Sequence, residues 1–344
     1  MVLGGLLPDA TPVQVAAIVV ATGLIWVGSG YLERAAGELS AYYGLPAVVQ
    51  GSVVVAVGSS FPELASVVVT ALSGSFGMGV GAIVGSAVFN VLVIPAVSGL
   101  VTDDPLDVSR TVVYKEAQFY MLAVSVLVIT FALAVIYYPV GGGALAGRVT
   151  RPLALIPLGL YGLYLFIQWQ DVGDHESDHD GTGVDLRREW AKLAAGLAAI
   201  LVAVESLVGA LEGLNATFGV PEFLAGVTVL AAATSFPDAL ISVRAARDGS
   251  GATSLGNVLG SNTFDLLVAV PVGVLIAGSA PVAFAVAAPM MGVLTVATVL
   301  LFTLLRTDLV LTDAESYGLV VAYLVFIGWV VGETVGALDL LVGT

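Results

Sequence analysis

GLPAVVQGSVVVAVGSSFPELASVVVTALSGSFGMGVGAIVGSAVFNVLV runs from residue 44 to 93, and GVPEFLAGVTVLAAATSFPDALISVRAARDGSGATSLGNVLGSNTFDLLV from 219 to 268. Set one over the other at a fixed offset of 175, without gaps, and 18 of 50 positions are identical. Pro46 meets Pro221, Gly51 meets Gly226, Ser60-Phe61-Pro62 meets Ser235-Phe236-Pro237, Gly85-Ser86 meets Gly260-Ser261 and Phe89 meets Phe264. Low-complexity Ala/Val/Leu/Gly composition gives scattered matches at any offset. It does not bring Pro, Phe, Ser and the acids Glu63 and Asp238 into one register. The chain is an internal duplication.

The duplicated stretches are embedded in apolar sequence. Ten segments reach the roughly 20 apolar residues that a helix needs to cross a bilayer: 12–32, 46–73, 77–100, 113–137, 151–170, 189–212, 221–247, 252–277, 281–305 and 315–340. The second and seventh carry a proline in mid-span, Pro62 and Pro237. Apolar residues almost vanish at 171–187, DVGDHESDHDGTGVDLR. The chain therefore divides into a first half, 1–170, an acidic linker, 171–188, and a second half, 189–344. With an odd number of spans in each half, the second copy inserts upside-down relative to the first. The expected fold is an all-α polytopic membrane protein whose ten transmembrane helices form two inverted-topology five-helix repeats. Secondary transporters are built this way, with the substrate site near the midplane where the copies meet.

Composition agrees. Of 344 residues, 58% are hydrophobic and 11% charged, against roughly 25% charged in soluble domains. That balance excludes a soluble enzyme. Eleven Lys and Arg against 26 Asp and Glu leave no basic surface for nucleic acid, and the absence of Cys excludes a disulfide scaffold. The net charge of −15 suits a salt-adapted prokaryotic host. The opening MVLGGLLPDATPVQV has no positive segment ahead of its apolar run, so the first span is expected to remain in the membrane. With the N-terminus outside, Arg34, Arg110, Lys115, Arg187, Arg188, Lys192, Arg244, Arg247 and Arg306 all fall inside, and only Arg148 and Arg151 fall outside. The positive-inside rule then puts the N-terminus outside and the linker in the cytoplasm, with the plasma membrane as the expected location.

Polar residues recur in register within the spans. Ala56, Ser59 and Ser60 lie seven, four and three residues before Glu63, so all four share one helical face. Ala231, Thr234, Ser235 and Asp238 repeat the pattern. Pro62 and Pro237 push against the carbonyls of Gly58 and Ala233, which frees backbone oxygen beside each acid. In the third span Ser86 and Asn90 are four apart, as are Ser261 and Asp265 in the eighth. Four such segments, brought together by a pseudo-two-fold axis, make an oxygen-rich cage at mid-membrane. Oxygen ligation without His or Cys suits hard cations. Neither motif contains a Lys or Arg to neutralise its acid, so the neutraliser is a bound cation or a proton.

Other features carry less. Glu205, deep in the sixth span, has Gly30 as its repeat counterpart and is read as lining a path or reaching for the interface. Glu176, Asp178, Asp180 and Gly181 echo a calcium loop, but Arg187 stands where the bidentate Glu belongs, so this segment, with His175 and His179, reads as solvated linker. Gly141-Gly142-Gly143 is a hinge with no phosphate-binding Lys-Ser/Thr after it.

At GSSFPE (58–63) with GSAVFN (85–90), and ATSFPD (233–238) with GSNTFD (260–265), the chain resembles the sodium/calcium exchangers of the cation/calcium exchanger superfamily. VGAIVGSAVFN (80–90) and GSNTFD look most like the potassium-dependent branch. The resemblance implies a Ca²⁺ site of Ser59, Glu63, Thr234 and Asp238. It implies Na⁺ sites that share Glu63 and Asp238 and add Ser60, Ser86, Ser235, Ser261 and the carbonyls of Ala56 and Ala231. Asn90 and Asp265 would line the centre. Asp238 and Ser59 depart from many microbial members, which carry Glu and Thr there.

The activity implied is electrogenic antiport by alternating access, three Na⁺ for one Ca²⁺. The first and sixth spans would slide over a four-helix core, each chain acting as a monomeric transport unit with no cofactor. K⁺ is a further candidate cargo at Asp265, but its repeat partner Asn90 is neutral, and Asp265 is expected to be protonated and transport to be potassium-independent. A proton/calcium antiporter would use the same scaffold, but its Gly-Asn-x-x-Glu fingerprint differs from the Ser-Phe-Pro-acid found here. An intramembrane aspartyl protease could pair Asp238 with Asp265, but its Gly-x-Gly-Asp motif is absent.

Overall fold

A computed structural model describes residues 10–44, 56–102, 105–110, 112–141, 145–171, 184–338 and 340–341. Helix α1 is Thr11–Tyr42, and α2 is Phe61–Ser73, preceded by the single helical turn Ala56–Ser59. Helix α3 is Phe76–Leu100. Helix α4 is Ala117–Tyr137, entered through a π-helical turn at Val112–Glu116, and α5 is Arg151–Asp171. The second half holds α6 (Leu186–Phe218), α7 (Glu222–Arg247), α8 (Gly251–Ala277), α9 (Phe284–Asp308) and α10 (Asp313–Thr334). Among the described residues nine helices are long and apolar enough to cross a membrane, and α2 is the shorter tenth. The start of the second expected span, 45–55, and most of the acidic linker, 172–183, lie outside the described residues.

Helix α1 extends ten residues past the expected end of the first span. Hydropathy stops at the first charges, Glu33 and Arg34, but nothing there breaks a helix. At 32 residues α1 is about 48 Å long, more than the ~30 Å hydrocarbon core, so it tilts or projects. Its repeat counterpart behaves alike. At an offset of 175 residues 11–42 fall on 186–217, within one residue of the bounds of α6.

Helices α1 and α6 pack against each other in opposite directions, which makes the inversion directly visible. Gln14 meets Gly213, Gly28 meets Ile200, and Leu32 meets Gly196. A Cβ at Gly28 would sit 2.8 Å from Ile200 Cγ1, and one at Gly196 would sit 2.8 Å from the Gly28 carbonyl oxygen. Small residues let the two backbones touch, as is usual where helices associate in lipid. Around this crossing Ile25, Leu32, Ile200, Val204, Leu207 and Val208 form an apolar cluster with Ala65, Met78 and Ala82.

Helix α3 lies at the centre and is buried along almost its whole length, predominantly apolar but with Ser86 and Asn90 buried among its apolar residues. It packs in parallel on the start of α7. A Cβ at Gly81 would strike the Phe223 carbonyl, one at Gly85 would come 2.7 Å from Val227 Cα, and one at Gly226 would strike the Met78 carbonyl.

Two short ribbons qualify the all-helical expectation. Strand β1 (Leu106–Asp107), ahead of α4, pairs antiparallel with β4 (Val310–Leu311), ahead of α10. Strand β2 (Ala146–Thr150), after α4, pairs antiparallel with β3 (Ser279–Ala283), ahead of α9. Each ribbon joins one half of the chain to the other, and the two sit at opposite ends of α4.

Candidate ion-binding site

The two Ser-Phe-Pro motifs fold differently. In the first, the helix breaks: Ser60 takes a turn conformation (φ −88°, ψ 6°), and α2 starts afresh at Phe61 with Pro62 in its first turn. Proline is well tolerated there because the first N–H groups of a helix have no intrahelical acceptor. The break leaves a helix N-terminus in the membrane interior with Glu63 in its first turn, where the helix dipole favours negative charge. In the second motif Pro237 lies inside an unbroken helical run, Ala231–Arg247, and the irregularity moves upstream to a π-helical turn at Gly226–Leu230. A second π-turn begins at Asp265, at Asp265–Ala269 in α8. Such turns shift side-chain direction and concentrate at functional positions.

These elements bring the polar residues together. Ser59, Ser60, Glu63, Ser86, Asn90, Thr234, Ser235, Asp238, Ser261 and Asp265 are all wholly buried. Contacts cross between repeats. Ser235 Oγ donates to Ser86 Oγ at 2.7 Å, and Asn90 Nδ2 donates to Asp238 Oδ2 at 3.2 Å. Thr234 lies beside Glu63, Ser59 and Ser261 beside Asp238, and Ser60 beside Asp265. The three carboxylates feel one another's charge. Among the described residues neither Lys nor Arg pairs with any of them; the ion pair present is Lys192–Glu189 at the start of α6.

Both oxygens of Glu63, both of Asp265, Asp238 Oδ1, Asn90 Oδ1 and Ser60 Oγ have no hydrogen-bond partner among the described residues. Buried carboxylates without partners cost several kcal/mol each. Hydroxyls, an amide and carboxylates at this density are suited to stripping water from a hard cation. No three acidic or imidazole groups among the described residues converge tightly enough to hold a metal by themselves. Any cation here leans on the Ser, Thr and Asn oxygens as well as on the acids.

Ala56 opens the turn before α2, and Ala231 opens the regular part of α7. The Ala231 carbonyl accepts from Thr234 Oγ1 at 3.3 Å, as does that of Leu230 at 3.1 Å. Ser261 Oγ donates to the Val258 carbonyl at 3.2 Å. Glu205 is half-buried in α6, and His175, His179 and Glu176–Gly181 fall outside the described residues.

Three polar residues near the cage escaped the sequence reading. Asn262 accepts from Asn90 Nδ2 at 2.9 Å and donates to the Ala87 carbonyl and to Tyr120 of α4, each at 3.3 Å. It stands inside GSNTFD, but its counterpart is Ala87, so the duplication does not flag it. Asn257 lies beside Asp238, and Glu33 of α1 reaches Asp238 with its charge. Their counterparts are Ala82 and Val208, so they too lack the signal of repetition.

The family pattern for sodium/calcium exchanger proteins matches residues 13–170 and 189–332, once in each half. The chain belongs to the sodium/calcium exchanger family. It is a multi-pass membrane protein of a cation/calcium exchange family, a transporter and not an enzyme. This family member is 24% identical over 287 residues to sodium/calcium exchanger MaX1 of Methanosarcina acetivorans, covering 73% of this chain and 80% of that one. It is 27% identical over 266 residues to inner membrane protein YrbG of Escherichia coli, covering 74% and 77%. Its likeness to the potassium-dependent branch is local: 48% identity to mouse sodium/potassium/calcium exchanger 4 extends over 52 residues, 15% of this chain and 8% of that one. Among solved structures it superimposes on the sodium-calcium exchanger NCX_Mj soaked with Na⁺ and Sr²⁺, with a TM-score of 0.61 and 20% identity over 92% of this chain and 97% of that one. The exchanger fold with its two family repeats is thus the fold of this chain.

Proposed function

We propose that this family member exchanges Na⁺ for Ca²⁺ across the plasma membrane by alternating access. The observation that carries the reading is the pair Glu63 and Asp238: wholly buried, without a Lys or Arg partner among the described residues, and ringed by hydroxyls from both repeats. Ca²⁺ is held by Ser59, Glu63, Thr234 and Asp238. Na⁺ ions share the two acids and add Ser60, Ser86, Ser235, Ser261 and the carbonyls of Ala56 and Ala231, with Asn90 and Asp265 between them.

Because Ca²⁺ and Na⁺ compete for the same oxygens, one leaves only as the other arrives. A dry cage with bare carboxylates is too costly to close, and that cost suppresses leak. Three Na⁺ per Ca²⁺ moves one net charge per cycle, worth about 2.3 kcal/mol per 100 mV. Helices α1 and α6, which touch each other through Gly28 and Gly196, slide as a pair over the cage helices α2, α3, α7 and α8. The first half, 1–170, and the second, 189–344, meet at the cage, and the linker 171–188 lies in the cytoplasm with the N-terminus outside. The relative named as an inner membrane protein and the charge bias of the loops support this placement.

The test is calcium uptake into proteoliposomes with Na⁺, K⁺ and H⁺ gradients imposed one at a time. Uptake driven by outward Na⁺ alone is the expected result. Uptake that follows only the proton gradient rejects the reading in favour of proton/calcium antiport.

A further inference from the structure

The repeat gives the cage paired polar positions, but it does not make the two ways into it alike. On the linker side, where α1, α3 and α7 end and α8 begins, five buried or half-buried positions are polar: Glu33, Ser98, Ser242, Ser254 and Asn257. Their counterparts at an offset of 175 are Val208, Gly273, Val67, Gly79 and Ala82, every one apolar. On that opposite side these five positions are closely packed, and the polar groups there stand elsewhere: Ser66 and Thr70 within α2, and Ser75, which donates to Glu212 of α6 at 2.8 Å. Val208 and Ala82 are wholly buried in the α1–α6 cluster, and a Cβ at Gly273 would lie 2.6 Å from Val67 Cγ1.

On the linker side the same positions form a hydrophilic track. Ser98 and Ser254 share a hydrogen bond at 3.1 Å. Asn257 Nδ2 donates to Ser242 Oγ at 3.1 Å, and Asn257 also lies beside Asp238. Asp238 is wholly buried and Asn257 beside it is half-buried, so Asn257 lies between the cage and accessible surface. Glu33 is half-buried too and packs on the broken helix: a Cβ at Gly58 would sit 3.7 Å from both its Cα and its Cγ. Its charge reaches Asp238, and it also feels Arg34 and Arg244, though neither is within ion-pair distance among the described residues.

We propose that Glu33 and Asn257 form a linker-side vestibule that receives calcium and passes it to Asp238, and that the equivalent positions at the opposite mouth, Val208 and Ala82, offer no such station. The inference rests on the exchange reading for the identity of the cation. A carboxylate at the mouth of a low-dielectric cleft concentrates cations there and speeds their capture, and an amide offers a second hard oxygen while water is shed stepwise. The two faces of the carrier therefore take up calcium with unequal ease, and the difference is written in the sequence of α1 and α8.

The experiment measures the calcium dependence of flux on each face separately, in right-side-out and inverted vesicles, for the wild type, Glu33→Gln, Glu33→Asp and Asn257→Ala. Half-saturating calcium on the linker face should rise about fivefold or more in Glu33→Gln and in Asn257→Ala. It should stay unchanged on the other face, with the maximal rate within about twofold and Glu33→Asp near the wild type. A change of equal size on both faces overturns the proposal. So does a fall in maximal rate alone, which would place Glu33 in the sliding of α1. The measurement reads calcium flux whatever ion drives it. A wild type driven by protons thus rejects sodium exchange and leaves the vestibule to be decided by the same data, and no calcium flux at all overturns both.

Discussion

Glu63 and Asp238 carry the same charge but are held differently. Glu63 sits in the first turn of a helix that begins inside the membrane, and among the described residues neither of its oxygens has a hydrogen-bond partner, though Thr234 lies beside it. Asp238 lies within a continuous helix and accepts from Asn90, with Ser59, Ser261 and Asn257 beside it. Glu63→Gln and Asp238→Asn should each reduce calcium exchange at least 100-fold while the protein inserts and purifies normally, since each removes a charge the divalent ion needs and leaves the volume unchanged. Sodium-driven calcium uptake at the wild-type rate in either variant rejects the assignment of the site. Asp265 presents a separate question, because three bare carboxylates in one dry cage are prohibitive. Its counterpart is neutral Asn90, so Asp265→Asn is expected to retain exchange, and replacing K⁺ by choline on both sides should leave wild-type flux intact. Flux that collapses without K⁺ in the wild type, and turns indifferent to K⁺ in Asp265→Asn, makes K⁺ a cargo. At this scale the sequence reveals what the duplication repeats. The Ser, Thr and acid positions stand out because each occurs twice, and Asn262, Asn257 and Glu33 stay hidden because Ala87, Ala82 and Val208 are all that answers them.

Among the elements, the cage is held in shape by backbone contact as much as by side chains. Helix α3 meets the start of α7 through Gly81, Gly85 and Gly226, where carbonyls occupy the space a side chain would need. Gly85→Ala should lower stability by about 1–3 kcal/mol through overpacking, read as a lower melting temperature in detergent. Gly328→Ala, in an exposed part of α10 with nothing within 4 Å, should change it little. Equal shifts in the two variants argue against a tight α3–α7 contact. Helix number and order were legible because a membrane helix needs its whole length to be apolar. Helix ends were less so, since α1 continues through Glu33 and Arg34 once it has left the hydrocarbon. Pro62 and Pro237 look equivalent in sequence, but the first breaks its helix and the second is absorbed, with a π-turn upstream. The ribbons gave no signal at all: strands of two and five residues are too short for alternation to show, and their partners lie far away in the chain.

For the whole molecule, the orientation proposed from the loop charges can be tested chemically, because the chain has no cysteine of its own. A single cysteine at Asp248, in the exposed turn between α7 and α8, should react with an impermeant maleimide only from the cytoplasm, and one at Thr217, near the end of α6, only from outside. The reverse pattern inverts the topology. The two ribbons have a consequence for how the halves are joined. In each, a connection from the first half pairs with one from the second: the segment ahead of α4 with that ahead of α10, and the segment after α4 with that ahead of α9. A symmetric homodimer makes its contacts in this reciprocal way, each subunit clasping the other with the same pair of arms. The molecule is in effect such a dimer fused into one chain through the acidic linker. Two separately translated polypeptides, cut within that linker, should therefore find each other in the bilayer and rebuild the carrier.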